Sequence, residues 1–247
     1  MDNTMTFKQE FTNQWIRARF LIMLMLPFWI GSFMLLAYFG YVNSFLFLNR
    51  HHMDSLDNIM LQITQFGDAT LLIPILVFIF IWKKPELIIT IIIASIFCGI
   101  ITSLCKTYLF AHWDRPLAVI GNQKLVHTVN HYLLFKHSFP SGHTICVTTI
   151  LTTVALSNYR SKITVFLLTL ITLLVSYSRI YLGAHFLGDV FVGSLVGTVI
   201  SLSTMAYFLK PVSYGLKKIT PVKLNFLKGL ILILAVVTLA YKIFYWV

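Results

Sequence analysis

The feature that most constrains this chain is a succession of apolar runs about as long as a bilayer is thick. They cover roughly residues 20–39, 59–82, 87–109, 144–156, 163–177, 186–209 and 226–247. A helix needs about 20 apolar residues to cross the hydrocarbon of a membrane. The runs around 144–156 and 163–177 fall short of that length, so their ends are the least defined. A mean hydropathy of +0.83, with 58% hydrophobic and 11% charged residues, lies outside the range of water-soluble domains. The expectation is an all-α, multi-pass membrane protein.

The net charge of +11 does not point to nucleic acid, because no basic run is interleaved with aromatics. Short basic loops that orient spans account for it more simply. Lys8, Arg17, Arg19, Lys83, Lys84, Arg160, Lys162, Lys210, Lys217, Lys218, Lys223 and Lys228 share one side if the N-terminus is cytoplasmic. The smaller remainder falls on the other side, with the 111–140 loop, Ser138–Thr144 and the 178–189 stretch. The layout divides into a cytoplasmic interfacial segment (1–19), a membrane core (20–209), a cytoplasmic basic loop (210–225) and a further span (226–247). Residues 20–39 carry no small-residue cleavage signal, so they read as a retained span rather than a leader. Cys98, Cys105 and Cys146 form no CxxC pair and read as small buried apolar residues.

Against this background three polar clusters stand out, all at the non-cytoplasmic ends of spans. The first is Lys106 followed, after eight residues, by Arg115-Pro116. The second is Pro140-Ser141-Gly142-His143, a turn opening a helix, where unpaired N–H groups and the helix dipole favour an anion. The third is Ser178-Arg179, then His185, then Asp189. His185 and Asp189 are spaced four apart and share a helix face, so the carboxylate can fix the imidazole tautomer. Taken singly, each cluster has a plain structural reading: a turn, a capping pair, snorkelling cations. Together, three cations, two histidines, one carboxylate and a helix-start glycine match what phosphoryl transfer requires.

The order Lys-x8-Arg-Pro, Pro-Ser-Gly-His, Ser-Arg-x5-His-x3-Asp resembles the three-part signature of the type 2 phosphatidic acid phosphatase (PAP2) superfamily. The motifs span residues 106–189, and the hydrophobic layout extends the likeness over about 20–209. The resemblance implies a six-helix transmembrane bundle of the PAP2/haloperoxidase-like type, with the 226–247 span as a seventh helix. It implies that His185 attacks phosphorus and forms a phosphohistidine. Asp189 would then orient it, and His143 would protonate the leaving oxygen and later activate water. Lys106, Arg115, Arg179, Ser141 and the Gly142 backbone would hold the phosphate. No metal or other cofactor is implied.

One departure concerns Lys106. The family spacing from lysine to arginine is six residues, and here it is eight, which on an unbroken helix would turn Lys106 away from Arg115. The Phe110–Pro116 stretch reads as a helix end and turn that can absorb the difference. His112 and Asp114 read as loop polars, and Asp68 as a helix cap rather than a substrate contact. The 117–139 loop, with Tyr132, Leu133, Leu134 and Phe135, is expected to rest on the bilayer and shape lipid entry.

The function expected is removal of a phosphate from a lipid head group at the outer leaflet of the inner membrane. Undecaprenyl pyrophosphate and lipid A lead, with phosphatidylglycerol phosphate and phosphatidic acid as further candidates. A phosphotransferase passing the phosphate to a second lipid is the alternative. An anion or lipid transporter is more remote, because its charges belong at mid-span and on both sides. The partners expected are the lipid phosphate and the bilayer, with no nucleic acid.

Overall fold

The structure, a computed structural model, describes residues 7–129 and 133–244. Among these residues every regular element is helical: α1 (Phe7–Asn49), α2 (Asp54–Gln65), α3 (Ala69–Phe80), α4 (Pro85–Leu104) with a π-helical turn (Cys105–Leu109), α5 (Pro116–Ile120), α6 (Gly142–Ser157), α7 (Lys162–Tyr181), α8 (Leu187–Lys218) and α9 (Pro221–Phe244). Five helices are long and apolar enough to cross a membrane: α1, α4 with its π-turn, α7, α8 and α9. The pair α2 and α3, bent by 66° at a short break, makes a sixth span if counted as one. The α6 helix, at 16 residues, is about 24 Å long, shorter than the roughly 30 Å of hydrocarbon around it.

The short helix is the centre of the bundle. Residues Thr144 to Leu156 of α6 are all buried, packed against α4, α7 and α8. Five threonines lie on this buried helix, and two of them bond backbone or α8: Thr153 Oγ1 reaches Thr149 O at 2.8 Å and Ser201 Oγ at 2.9 Å, and Thr149 Oγ1 reaches Gly197 O at 3.3 Å. Small residues let two backbones approach, which is how membrane helices gain packing where lipid supplies no hydrophobic drive. On α8, a Cβ at Gly197 would stand 2.8 Å from both Ile145 O and Thr148 Cβ, and one at Gly193 would stand 3.1 Å from Ser141 O. The close seam holds the start of α6 beside the start of α8.

Two expected segments take a different form. Residues 7–19 do not lie apart from the first span. They continue α1, with Phe7 against Tyr207 and Glu10 paired with Lys210. The expected basic loop 210–225 is mostly helix, because α8 runs on through Pro211 to Lys218 and only residues 219–220 separate it from α9. The Glu10–Lys210 pair ties both extensions together. Lys217 and Lys218 suit the negative end of the α8 dipole, and Pro221 suits the first turn of α9.

The close seam makes a prediction. Gly197→Ala must push α6 from α8 and is expected to destabilise by about 1–3 kcal/mol, read as a lower Tm in detergent. Gly215→Ala, with nothing within 4 Å of its Cβ, is expected to leave Tm unchanged or raise it.

Candidate active site

At the end of the bundle where α6 and α8 begin, the three sequence clusters meet. Each is delivered by a local irregularity. The α7 helix ends on Gly183 at φ 69°, with Ala184 N bonded to Arg179 O at 3.0 Å and Gly183 N to Ile180 O at 3.1 Å. That is a Schellman termination, in which a left-handed glycine lets the chain fold back over the last turn. It brings His185 next to Arg179 although five residues separate them: His185 N bonds Arg179 O at 3.2 Å. The turn is packed tightly, since a Cβ at Gly183 would stand 2.7 Å from His127 O.

His185 is buried, 1% exposed. Its Nδ1 lies 3.3 Å from Asp189 Oδ2, and its Nε2 lies 3.4 Å from Arg115 Nη1. With Nδ1–H directed at the carboxylate, Nε2 carries its lone pair into the site. Burial, together with the charges of Arg115, Arg179 and Lys106, holds the imidazole well below its usual pKa. His185 therefore stays neutral.

Asp189 is fully buried and accepts from several directions. Ser138 Oγ and the Phe186 N–H (3.0 Å) donate to Oδ2, and the Tyr41 hydroxyl donates to Oδ1. Sequence reasoning missed Tyr41 as a site residue and left Ser138 without a role. Tyr41 comes from α1, directly after Gly40, whose φ of 75° and ψ of −178° break the helix. Gly188 leaves room for the Tyr41 ring, which lies tilted against Phe186 with ring centroids 4.7 Å apart.

Arg115 is fixed by its own loop. Its Nε donates to Lys136 O at 2.7 Å and its Nη1 to Ala184 O at 3.1 Å. The 113–115 and 135–138 segments are laced by Arg115 N to Phe135 O (2.8 Å) and Ser138 N to Trp113 O (2.7 Å). Arg179, 1% exposed, donates from Nη1 to Thr64 Oγ1 of α2 at 2.6 Å. Thr64 is a second residue that the sequence motifs did not reveal.

Lys106 sits in the π-turn, where Phe110 N bonds Cys105 O at 2.7 Å. The wider turn and the irregular 110–115 segment absorb the two extra residues of spacing. Lys106 lies close enough to Arg115, Arg179 and Asp189 for their charges to act on it, and its carbonyl meets His137 Nδ1 at 3.1 Å.

Ser141 caps α6: its Oγ accepts from Thr144 Oγ1 at 3.0 Å and from Thr144 N at 3.4 Å. Its own N–H reaches Asp189 O at 3.2 Å. Gly142 opens α6, and a Cβ there would press on Thr102 Cγ2 at 3.3 Å. His143 follows, half-buried, within electrostatic reach of Arg179, His185, Lys106 and Asp68. The α2–α3 break lies against it, since a Cβ at Gly67 would stand 2.8 Å from His143 Cβ. Asp68 caps α3 through Thr70 N at 2.9 Å and pairs with Lys242 of α9 at 2.6 Å.

His112 and Asp114 are exposed on the loop. Leu133 and Phe135 are exposed as well, while Tyr132 lies outside the described residues. Among the described residues no three His, Cys, Asp or Glu side chains gather as a metal ion would need.

The arrangement is a neutral, oriented imidazole with three cations around it, a second imidazole nearby and a helix N-terminus. It can deliver a nucleophile to an anionic tetrahedral centre and stabilise the charge that develops there. The PAP2 superfamily model matches residues 86–212, just over half of the chain, and the chain belongs to that superfamily. An undecaprenyl-diphosphatase of Sulfolobus acidocaldarius is 28% identical over 161 residues, 65% of this chain and 74% of that protein. The crystal structure of Aquifex aeolicus LpxE superposes with a TM-score of 0.59 at 29% identity, over 68% of this chain and 95% of that one. A transmembrane PAP2 type phosphatidylglycerolphosphate phosphatase from Bacillus subtilis shares the fold, with a TM-score of 0.54 at 19% identity, over 81% of this chain and 98% of that one.

The carboxylate network makes a prediction of its own. Tyr41→Phe removes the Oδ1 donor of a buried carboxylate and is expected to destabilise by about 1.5–3 kcal/mol, read as a lower Tm in detergent. Tyr38→Phe, at a position 83% exposed, is expected to leave Tm unchanged.

Proposed function

We propose that this member of the PAP2 superfamily is a multi-pass membrane phosphatase that hydrolyses a phosphomonoester or pyrophosphate on a lipid head group. The single observation that carries the reading is the state of His185. Its Nδ1 is tied to Asp189 and its Nε2 faces Arg115, while burial and the surrounding cations disfavour protonation of the ring.

In the first step Nε2 attacks phosphorus, an N–P bond forms and the bond from phosphorus to the leaving oxygen breaks. Protonated His143 supplies the proton that the leaving oxygen takes. Asp189 keeps the Nδ1 proton and balances the charge on the imidazolium. In the second step water attacks the phosphohistidine, giving its proton to His143, and inorganic phosphate leaves with His185 restored. Lys106, Arg115, Arg179, the Ser141 hydroxyl and the Gly142 N–H hold the equatorial oxygens as charge builds on them. Each of these roles draws on this chain's own side chains, so the reaction proceeds without a metal.

The N-terminus is cytoplasmic in this reading, since Arg17, Arg19, Lys83, Lys84, Arg160, Lys162, Lys217 and Lys218 gather at the end opposite the site. The site then faces the outer side of the inner membrane, where the exposed Leu133 and Phe135 of the 117–139 loop meet lipid. Undecaprenyl pyrophosphate and lipid A lead among substrates. The named activity of the Sulfolobus relative favours the first.

The test is phosphate release by the purified protein in detergent, with EDTA present, on undecaprenyl pyrophosphate, lipid A, phosphatidylglycerol phosphate and phosphatidic acid. EDTA-resistant release is expected, abolished in His185→Ala and lowered about 10²- to 10⁴-fold in His143→Asn. Equal release by His185→Ala would remove that residue as the nucleophile. Transfer of phosphate to an added lipid alcohol in preference to water would make the enzyme a phosphotransferase.

A further inference from the structure

The C-terminal helix α9 lies beyond the residues that match the family model, which end at 212. It packs on α3, and Lys242 near its end pairs with Asp68 at the α2–α3 break. Between α3, α4 and α9 runs an apolar cavity of about 240 Å³, lined among others by Thr70, Pro74 and Val77 of α3, Ile92 of α4, and Ile231 and Ala235 of α9. Its upper rim is at Ala69, next to Asp68, which pairs with Lys242, and Gly67 lies against His143. From that rim it descends along α3 through Thr70, Pro74 and Val77, away from the phosphate-binding groups and toward the middle of the span.

We propose that this cavity holds a segment of the hydrocarbon tail of the lipid phosphate substrate, with α9 as its outer wall. The proposal rests on the phosphatase reading and adds a binding subsite to it. Two features argue for the substrate tail over a surrounding bilayer lipid. The cavity starts at Ala69, two residues beyond the glycine that lies against His143, so a tail leaving the phosphate meets it first. Its volume is below the roughly 300–1,000 Å³ of drug-sized ligand pockets, room for part of one chain and not for two packed side by side.

The experiment reads where the tail sits rather than how much phosphate is released. Geranylgeranyl monophosphate bearing a diazirine at the tail end is photolysed with the full-length protein in detergent, and labelled residues are mapped by mass spectrometry. Label is expected on residues 70–77 and 231–238, competed by geranylgeranyl phosphate and not by geranylgeraniol. Label elsewhere on the bundle, or equal competition by the alcohol, would overturn the proposal and make the cavity a seat for bilayer lipid. Competed labelling in a protein that releases no phosphate would keep the tail site and remove the phosphatase reading.

A substitution series supplies the second arm. Ala235→Trp and the milder Thr238→Phe fill the cavity, and each is expected to lower the ratio of kcat/KM for a long-chain over a short-chain phosphate about tenfold. Val236→Trp, on the exposed face of α9, is expected to leave the ratio intact. An unchanged ratio in both filling variants counts against the proposal.

Discussion

A carboxylate sealed inside a membrane bundle is the constraint around which the rest of this structure is arranged. An unsatisfied charge in such a place is among the most expensive features a fold can carry. Asp189 is satisfied from four separate parts of the chain: Tyr41 on α1, Ser138 in the loop before α6, His185 at the end of α7 and the Phe186 N–H at the start of α8. Each donor requires its own local departure from regular helix. Gly40 breaks α1 to place Tyr41, and the Schellman turn at Gly183 folds His185 back. The tight α6–α8 seam at Gly193 and Gly197 sets Ser141 N against Asp189 O. The irregularities of the bundle cluster at one end because one buried charge recruits them.

The shortness of α6 follows the same logic. A helix of 16 residues is shorter than a full span. At its start Ser141 is buried and Gly142 and His143 are half-buried, so the dipole of the helix is weakly screened there. The π-turn after α4 carries Lys106 by widening the last turn rather than ending it. The insertion in the Lys–Arg spacing is thus accommodated by helix geometry and not by loss of the cation from the site.

Much of this was legible from the residues alone. The apolar runs marked the helices, and the clusters ending in Arg115, His143 and Asp189 come together in space. What stayed hidden were partners far off in sequence. Tyr41 meets Asp189 across 148 positions and Thr64 meets Arg179 across 115. Neither lies in a motif window, and a hydroxyl in or near a membrane helix is commonly satisfied by its own backbone. The available signals were a Gly-Tyr step at the end of an apolar run and a threonine on the run leading to Asp68. The extensions of α1 and α8 also escaped notice, because polar composition at 7–19 and 210–218 suggests interface or loop. The Glu10–Lys210 pair that joins them is visible only once the helices are seen to be antiparallel neighbours.

The three cations serve two purposes with one placement. In the proposed reaction Lys106, Arg115 and Arg179 hold the phosphate, and burial together with these same charges keeps the His185 imidazole below its usual pKa. Attraction for the substrate and readiness of the nucleophile are therefore coupled. A histidine placed here without cations would still be desolvated, but Asp189 would pull it toward the imidazolium and withdraw the lone pair. A cation cluster without Asp189 would leave the tautomer unfixed. The carboxylate orients Nδ1 while burial and the cations disfavour protonation at Nε2, and in the proposed reaction the imidazolium created by N–P bond formation is the one Asp189 is placed to balance. The opposing charges of the site act in sequence along the reaction instead of cancelling at rest.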